Sequence, residues 1–201
     1  MAEFMNAIRR GFAGMFRFSG RDARRQFWPY AIFTFLAATL VNYIIMLPEL
    51  MRMMGNTLSM MAEQRDRGFA PGSEPDPATF FAAIMPNMEY LMWTGMAVHL
   101  AAAALLAAAV VRRLHDRDKA GYWGLLPLPM FAIGFALAPM AFDAVLQPGA
   151  RNTNLMMLSS LTSMASWGLL IYLVVILAQE GSKGPNRYGP EPGAQGQSGA
   201  G

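Results

Sequence analysis

Residues 155–179 read LMMLSSLTSMASWGLLIYLVVILAQ and contain no charged side chain. As an α-helix this stretch would be about 37 Å long, which is enough to cross the hydrocarbon core of a bilayer, about 30 Å thick. Three more windows are predominantly apolar over similar lengths, at residues 27–47, 88–111 and 122–146. The sequence therefore predicts an all-α, polytopic membrane protein with four transmembrane helices.

The composition agrees with this prediction. Hydrophobic residues make up 54% of the chain and charged residues 14%, against about 25% charged residues in soluble domains. Cysteine is absent, which excludes disulfides, thiolate nucleophiles and cysteine metal sites. The formal net charge is +3, but the basic residues occur in short clusters beside apolar runs rather than along one face. We therefore expect the lipid bilayer as a partner and no nucleic acid.

Lysine and arginine are distributed unequally between the two sides of the four spans. One side holds six basic residues before span one, four between spans two and three and two in the tail, whereas the other side holds four in total. Those on the richer side are Arg9, Arg10, Arg17, Arg21, Arg24, Arg25, Arg112, Arg113, Arg117, Lys119, Lys183 and Arg187. Because basic loops remain in the cytoplasm, the N-terminus, central loop and C-terminus are predicted to be cytoplasmic.

The N-terminal residues 1–18 predict a short amphipathic helix at the membrane surface. Phe4, Ile8 and Phe12 recur at four-residue steps, with polar residues between them. A helix with this pattern places its apolar side in the headgroup region and its arginines beside anionic headgroups.

The remaining chain divides into a transmembrane domain, residues 19–180, and a Gly- and Pro-rich cytoplasmic tail, residues 181–201, expected to be disordered beyond Pro192. The domain includes a long outer loop, residues 48–87, with a flexible connector at 65–78. Methionines in this loop repeat at seven-residue spacing, which indicates an apolar helical stripe. Binding of Cu(I) by their thioether sulfurs is the alternative.

Several polar residues fall within the predicted spans, where such groups are costly and often functional. They are Asn42, His99, Asp143, Ser159 and Ser163. One interpretation is a polar cavity for the movement of a small solute or ion. The other is structural, because serine, threonine and histidine in membrane helices often bond to their own or a neighbouring backbone.

Three further stretches share one predicted side of the membrane: FSGRDARRQFW at 18–28, RRLHD at 112–116 and GPNRYGPEP at 184–192. In order and position they resemble the DUF805 family of small bacterial inner-membrane proteins. Gln26 replaces an acid that is frequent in the family, and Asp118 and Ala120 stand where it often has glycine and serine. The resemblance implies a helical fold in the bacterial inner (plasma) membrane, and no known reaction.

The side chains of these stretches form the main candidate site, a cytoplasmic cluster of arginine, aspartate and aromatic residues. Its members are Gly20, Arg21, Asp22, Arg24, Arg25, Trp28, Arg112, Arg113, His115, Asp116, Trp123, Asn186, Arg187 and Tyr188. Guanidinium groups suit phosphate and carboxylate, so the cluster predicts docking of a membrane-protein partner or of anionic lipids; a homo-oligomer is a further option. The alternative is internal pairing of arginine with aspartate and with helix carbonyls. No catalytic motif, metal spacing or cofactor motif accompanies the cluster, so we expect a non-enzymatic protein without cofactor or metal.

Overall fold

The computed structural model describes residues 1–66, 85, 87–146 and 153–192. Its helices are α1 (Ala2–Ala13), α2 (Arg24–Asp66), α3 (Met88–Asp116), α4 (Leu128–Leu146) and α5 (Thr153–Ala178), with a 3₁₀ segment at Gly121–Leu125 before α4. Four stretches are long and apolar enough to cross a membrane: Arg24–Asp66, Glu89–Asp116, Gly121–Ala141, which joins the 3₁₀ segment to α4, and Thr153–Ala178. The predicted all-α, polytopic membrane fold is confirmed. Most of the predicted flexible connector, and the tail beyond Pro192, lie outside the described residues.

Helix α2 is longer than the sequence pattern predicts. Hydropathy ends the first span at Leu47 and places a loop after it, whereas the helix continues through Pro48 to Asp66. Proline removes one N–H from the helical ladder, but the residues that follow it are mainly methionine, leucine, glutamate and arginine, which favour helix. An ion pair between Glu49 and Arg52, three residues apart, supports this part of the helix. The methionine-rich stretch is therefore helical, as its spacing indicates.

The end of α3 explains one departure from the family pattern. Asp118 has a φ of 53°, a left-handed conformation that favours glycine. The Asp118 N–H donates to the His115 carbonyl (3.0 Å), and the Lys119 N–H donates to the Leu114 carbonyl (2.9 Å). These two bonds form a Schellman motif, in which the left-handed position is usually glycine. The family's frequent glycine at this position therefore has a conformational reason, and aspartate is one of the few residues that replace it readily.

The start of span three also differs from the prediction. The candidate membrane span Gly121–Ala141 includes Tyr122 and Trp123 as predicted, but both residues lie in the 3₁₀ segment, and α4 begins only at Leu128. Pro127, which is fully buried, separates the two. Proline fixes φ near a helical value and is favoured at helix starts, so the boundary follows from the local sequence.

The chain forms two compact units, Met1–Ala31 with Leu105–Gly201, and Ile32–Ala104. In the first unit, Phe27 and Tyr30 of α2 pack in one buried core with residues of α3 and α5, among them Leu114 and Leu173. Helix α1 packs on α2 in this unit: its Phe12 ring meets Tyr30 edge to face at 5.2 Å. A side chain at Gly11 would overlap the same tyrosine ring, so the glycine allows the close approach.

Large apolar side chains are exposed along the spans of both units. Phe35 of α2 is 66% exposed and Met164 of α5 is 72% exposed. Contiguous exposed apolar surface of this kind is not stable in water and indicates contact with lipid. The exposed apolar side chains therefore lie on the spans that the hydropathy pattern predicts.

Candidate functional site: a buried arginine and aspartate cluster

Five charged residues meet inside the first unit, and we refer to them as the arginine–aspartate cluster: Arg21, Asp22, Arg112, Arg113 and Asp116. Each of the five is at most 6% exposed. Arg21 and Asp22 lie in the turn before α2, and the other three lie in the last two turns of α3. Burying a charge is costly unless it is paired and hydrogen-bonded, so the partners of each residue decide what the cluster can do.

Arg112 links α3 to the segment between α1 and α2. Its Nε donates to Asp22 Oδ2 at 2.7 Å, and its Nη1 donates to the Gly14 carbonyl at 2.7 Å. The same nitrogen also donates to the Arg17 carbonyl. In return, the Asp22 N–H donates to the Arg112 carbonyl at 3.2 Å. The guanidinium is thus satisfied by one carboxylate and by the carbonyls that follow α1.

Arg113 links α3 to the end of α5. Its Nε donates to the Leu177 carbonyl at 2.9 Å, Nη2 donates to the Gln179 carbonyl, and Nη1 donates to Asp116. The last carbonyls of a helix have no partner within the helix, and they carry partial negative charge. Arg113 therefore supplies donors to the C-terminal end of α5 while it pairs with Asp116.

Arg21 joins the cluster to the segment after α5. Its Nε and Nη2 both donate to Asp116 Oδ1, at 3.1 and 2.9 Å. Its remaining hydrogens go to backbone carbonyls, of Gly184 at 2.7 Å, of Ser182 at 2.6 Å and of Gly189 at 3.3 Å. Asp116 is therefore shared between Arg21 and Arg113. A side chain at Gly181 would overlap this carboxylate.

Residues 182–191, which we call the tail segment, fold over the cluster. Asn186 and Gly189 exchange backbone hydrogen bonds of 3.0 Å, and Asn186 Nδ2 donates to the His115 carbonyl at 2.9 Å. The His115 and Tyr188 rings stack at 3.7 Å, and the Arg187 guanidinium lies 4.8 Å from the Tyr188 ring centre. His115 Nδ1 lies 3.2 Å from the Gly20 carbonyl. The His115 ring is thus positioned by the Tyr188 ring and the Gly20 carbonyl.

The predicted site therefore separates into two groups of arginines. Arg21, Arg112 and Arg113 are buried and internally paired, as in the structural alternative. Arg24 and Arg25 are exposed at the start of α2, and Arg187 is exposed in the tail segment, where it pairs with Asp118 at 3.1 Å. Arg24 pairs with Glu180 at 2.8 Å, but both side chains are largely exposed, and such pairs contribute little. The Arg25 side chain makes no hydrogen bond or ion pair with the part of the chain that the structure describes. Only the exposed group can meet an outside ligand.

The two tryptophans of the predicted site pack on the core of the first unit. Trp28 and Trp123 both contact its edge while remaining partly exposed. Trp28 meets the Phe27 ring edge to face at 5.3 Å, and the Lys119 ammonium lies 5.4 Å from the Trp123 ring centre. This partial burial suits interface anchors, whose rings bridge apolar and polar surroundings.

Three contributors were missed by the sequence reasoning. Arg10 adds a second contact to Asp22, at 3.4 Å, and Ser182 donates its N–H to the Asp116 carbonyl at 2.7 Å. Because Gly181 has no side chain, the Asp116 carboxylate can lie directly beside it. None of these lies in the three stretches that the sequence singled out: Arg10 is in the last turn of α1, and Gly181 and Ser182 come between α5 and the stretch 184–192. The Gln26 side chain accepts from the Ala23 N–H at 3.1 Å, half of a capping box.

The candidate intramembrane residues belong to different units. In the unit Ile32–Ala104, His99 Nδ1 lies 2.6 Å from the carbonyl of Gly95, one turn earlier, and the Asn42 amide oxygen lies beside the same glycine. Ser159 and Ser163 belong to the other unit. On the same helix, Thr162 and Ser166 donate to carbonyls four residues earlier, at 2.7 Å each. The Asp143 side chain lies outside the described residues, and the shared polar cavity stays a prediction.

A protein-family model described as "Protein of unknown function (DUF805)" matches residues 15–190. The matched range contains the whole arginine–aspartate cluster and nearly all of the tail segment, and it begins after α1. No curated protein and no solved structure matches the chain.

Proposed function

We propose a function for this chain, which belongs to the DUF805 family of proteins of unknown function, from the positions of its arginine side chains. The chain is a membrane protein, and we propose that it acts in the bacterial inner membrane without catalysis. Its cytoplasmic end binds anionic phospholipid headgroups through exposed arginines, and the buried cluster holds this end together as a scaffold. The orientation is the one that the positive-inside rule predicts.

A single observation supports this proposal most: the exposed arginines are separate from the buried, paired ones. Arg24 and Arg25 project from the start of α2, and Arg9 and Arg17 are exposed on and after α1. Each basic residue near an anionic membrane surface contributes about 1 kcal/mol of attraction. Four such residues beside the start of an apolar span are typical of a surface that contacts lipid headgroups, and not of a buried catalytic centre.

The experiment compares the full chain in nanodiscs of zwitterionic lipid with nanodiscs that also contain anionic phospholipid. We expect the anionic lipid to raise the midpoint of thermal unfolding, because lipid that binds the folded state stabilises it. The increase should shrink at high salt, which screens exposed charges. Replacing Arg9, Arg24 and Arg25 by glutamine should abolish the increase. Arg65→Gln, an exposed change at the far end of α2, is the matched control. Equal midpoints in both lipids would refute the proposal.

A further inference from the structure

A groove of about 690 Å³ lies beside the first turns of α1 and α2. The groove is open along the surface of the protein rather than enclosed. Glu3 and Phe4 of α1 line one part, and Arg24, Arg25 and Trp28 line another. All of these residues belong to the same unit. The groove therefore combines charge with apolar and aromatic surface.

The charge of the groove favours a ligand with one negative charge. Two arginines and one glutamate line it, which leaves a net charge of +1 from side chains. Arg25 has no side-chain partner among the described residues, whereas Arg24 pairs with the exposed Glu180 and also donates to the Ala178 carbonyl at 3.4 Å. Because exposed ion pairs are weak, Arg24 can exchange this carboxylate for a phosphate oxygen. Guanidinium groups bind phosphate through two parallel hydrogen bonds.

The apolar wall of the groove distinguishes a lipid from a free phosphate. Phe4 is 44% exposed, and Trp28 and Pro29 line the groove at the start of a span that crosses the membrane. Tryptophan at such a boundary lies at the level of the headgroups. If the arginines bound the phosphate of a phospholipid, its glycerol backbone and acyl chains would lie beside Trp28.

We infer that this groove binds one anionic phospholipid, with its phosphodiester on Arg24 and Arg25 and its apolar part beside Phe4 and Trp28. The inference rests on the proposed function and narrows it from a charged surface to a single site. Arg25 contributes the main contact because its guanidinium is uncommitted. Glu3 opposes the phosphate and limits the affinity.

Native mass spectrometry of the full chain in detergent, titrated with phosphatidylglycerol, tests this site. We expect one lipid to remain bound to the unaltered chain. Arg25→Gln should weaken this binding about tenfold, the equivalent of about 1.4 kcal/mol for a lost charged hydrogen bond. Glu3→Gln should strengthen it. Arg65→Gln removes the same charge from an exposed position that does not line the groove and is not one of the proposed lipid-binding arginines, and should leave the bound lipid unchanged.

Three results would overturn the inference. Equal losses in Arg25→Gln and Arg65→Gln would mean a diffuse effect of charge, and the proposed function would then survive without this site. Equally tight binding of soluble glycerol phosphate would mean a phosphate site rather than a lipid site. If a zwitterionic lipid were retained as well as phosphatidylglycerol, charge would have no role at the groove. The nanodisc comparison tests the proposed function separately.

Discussion

At the scale of single residues, Asp116 is the carboxylate that two buried arginines share. It receives hydrogen bonds from Arg21 and Arg113, and all three side chains are at most 4% exposed. A buried ion pair adds little over a well-packed apolar substitute, but removal of one partner leaves an uncompensated charge. The carboxylate is therefore expected to be required for stability rather than for binding.

We predict that Asp116→Asn lowers the free energy of unfolding by about 3–5 kcal/mol, because it keeps the shape of the side chain but leaves two buried guanidinium groups without their counter-charge. Thermal or denaturant unfolding in detergent measures this loss. Asp118→Asn is the matched control, since Asp118 pairs with Arg187 at an exposed position (52% and 59% exposed), and should cost less than about 1 kcal/mol. Similar losses in the two variants would contradict the structural role of the cluster.

At the scale of elements, the cluster connects segments that are distant in the chain. Arg112 reaches the residues after α1, Arg113 reaches the end of α5, and Arg21 reaches the tail segment. The tail segment also contacts His115 and Asp116, but three of its carbonyl groups accept from the single guanidinium of Arg21. A lysine would keep the charge of Arg21 but has no planar fork of donors.

Arg21→Lys is therefore expected to release the tail segment while the transmembrane helices remain folded. Limited trypsin digestion measures this, because Lys183 is exposed at the start of the segment. We expect cleavage after Lys183 to become several-fold faster than in the unaltered chain. Arg17→Lys changes an exposed side chain outside the cluster and should leave the cleavage rate unchanged. Slow cleavage in Arg21→Lys would show that other contacts hold the segment.

Much of the fold at this scale is predictable from sequence, and the reasons for the exceptions are local. Long apolar runs gave four spans, because hydrocarbon requires both length and apolar character. Pro48 did not mark the end of the helix, since the residues that follow it are mainly good helix formers. The three arginine-containing stretches contact one another through hydrogen bonds. Which arginine is buried could not be predicted, because that depends on carbonyls of α5 and of the tail segment that only the tertiary fold brings near.

At the scale of the whole molecule, burial is concentrated in one part of the chain. Among the described residues, the buried hydrophobic side chains all belong to the unit Met1–Ala31 with Leu105–Gly201. In the unit Ile32–Ala104, large side chains such as Phe35 and Tyr43 are mostly exposed. The first unit has internal packing and a charged cluster, whereas the second depends more on lipid for its stability. The proposed lipid-binding groove lies in the first unit.

The proposed orientation in the membrane is testable because the chain has no cysteine, so a single introduced thiol is the only one present. Ser19→Cys and Ser59→Cys are conservative changes at exposed positions, before α2 and in its distal part. If the N-terminus is cytoplasmic, a membrane-impermeant maleimide should label residue 59 in intact spheroplasts, and residue 19 only after lysis. The reverse pattern would place the exposed arginines outside the cell. The anionic lipid that they bind would then have to come from the outer leaflet.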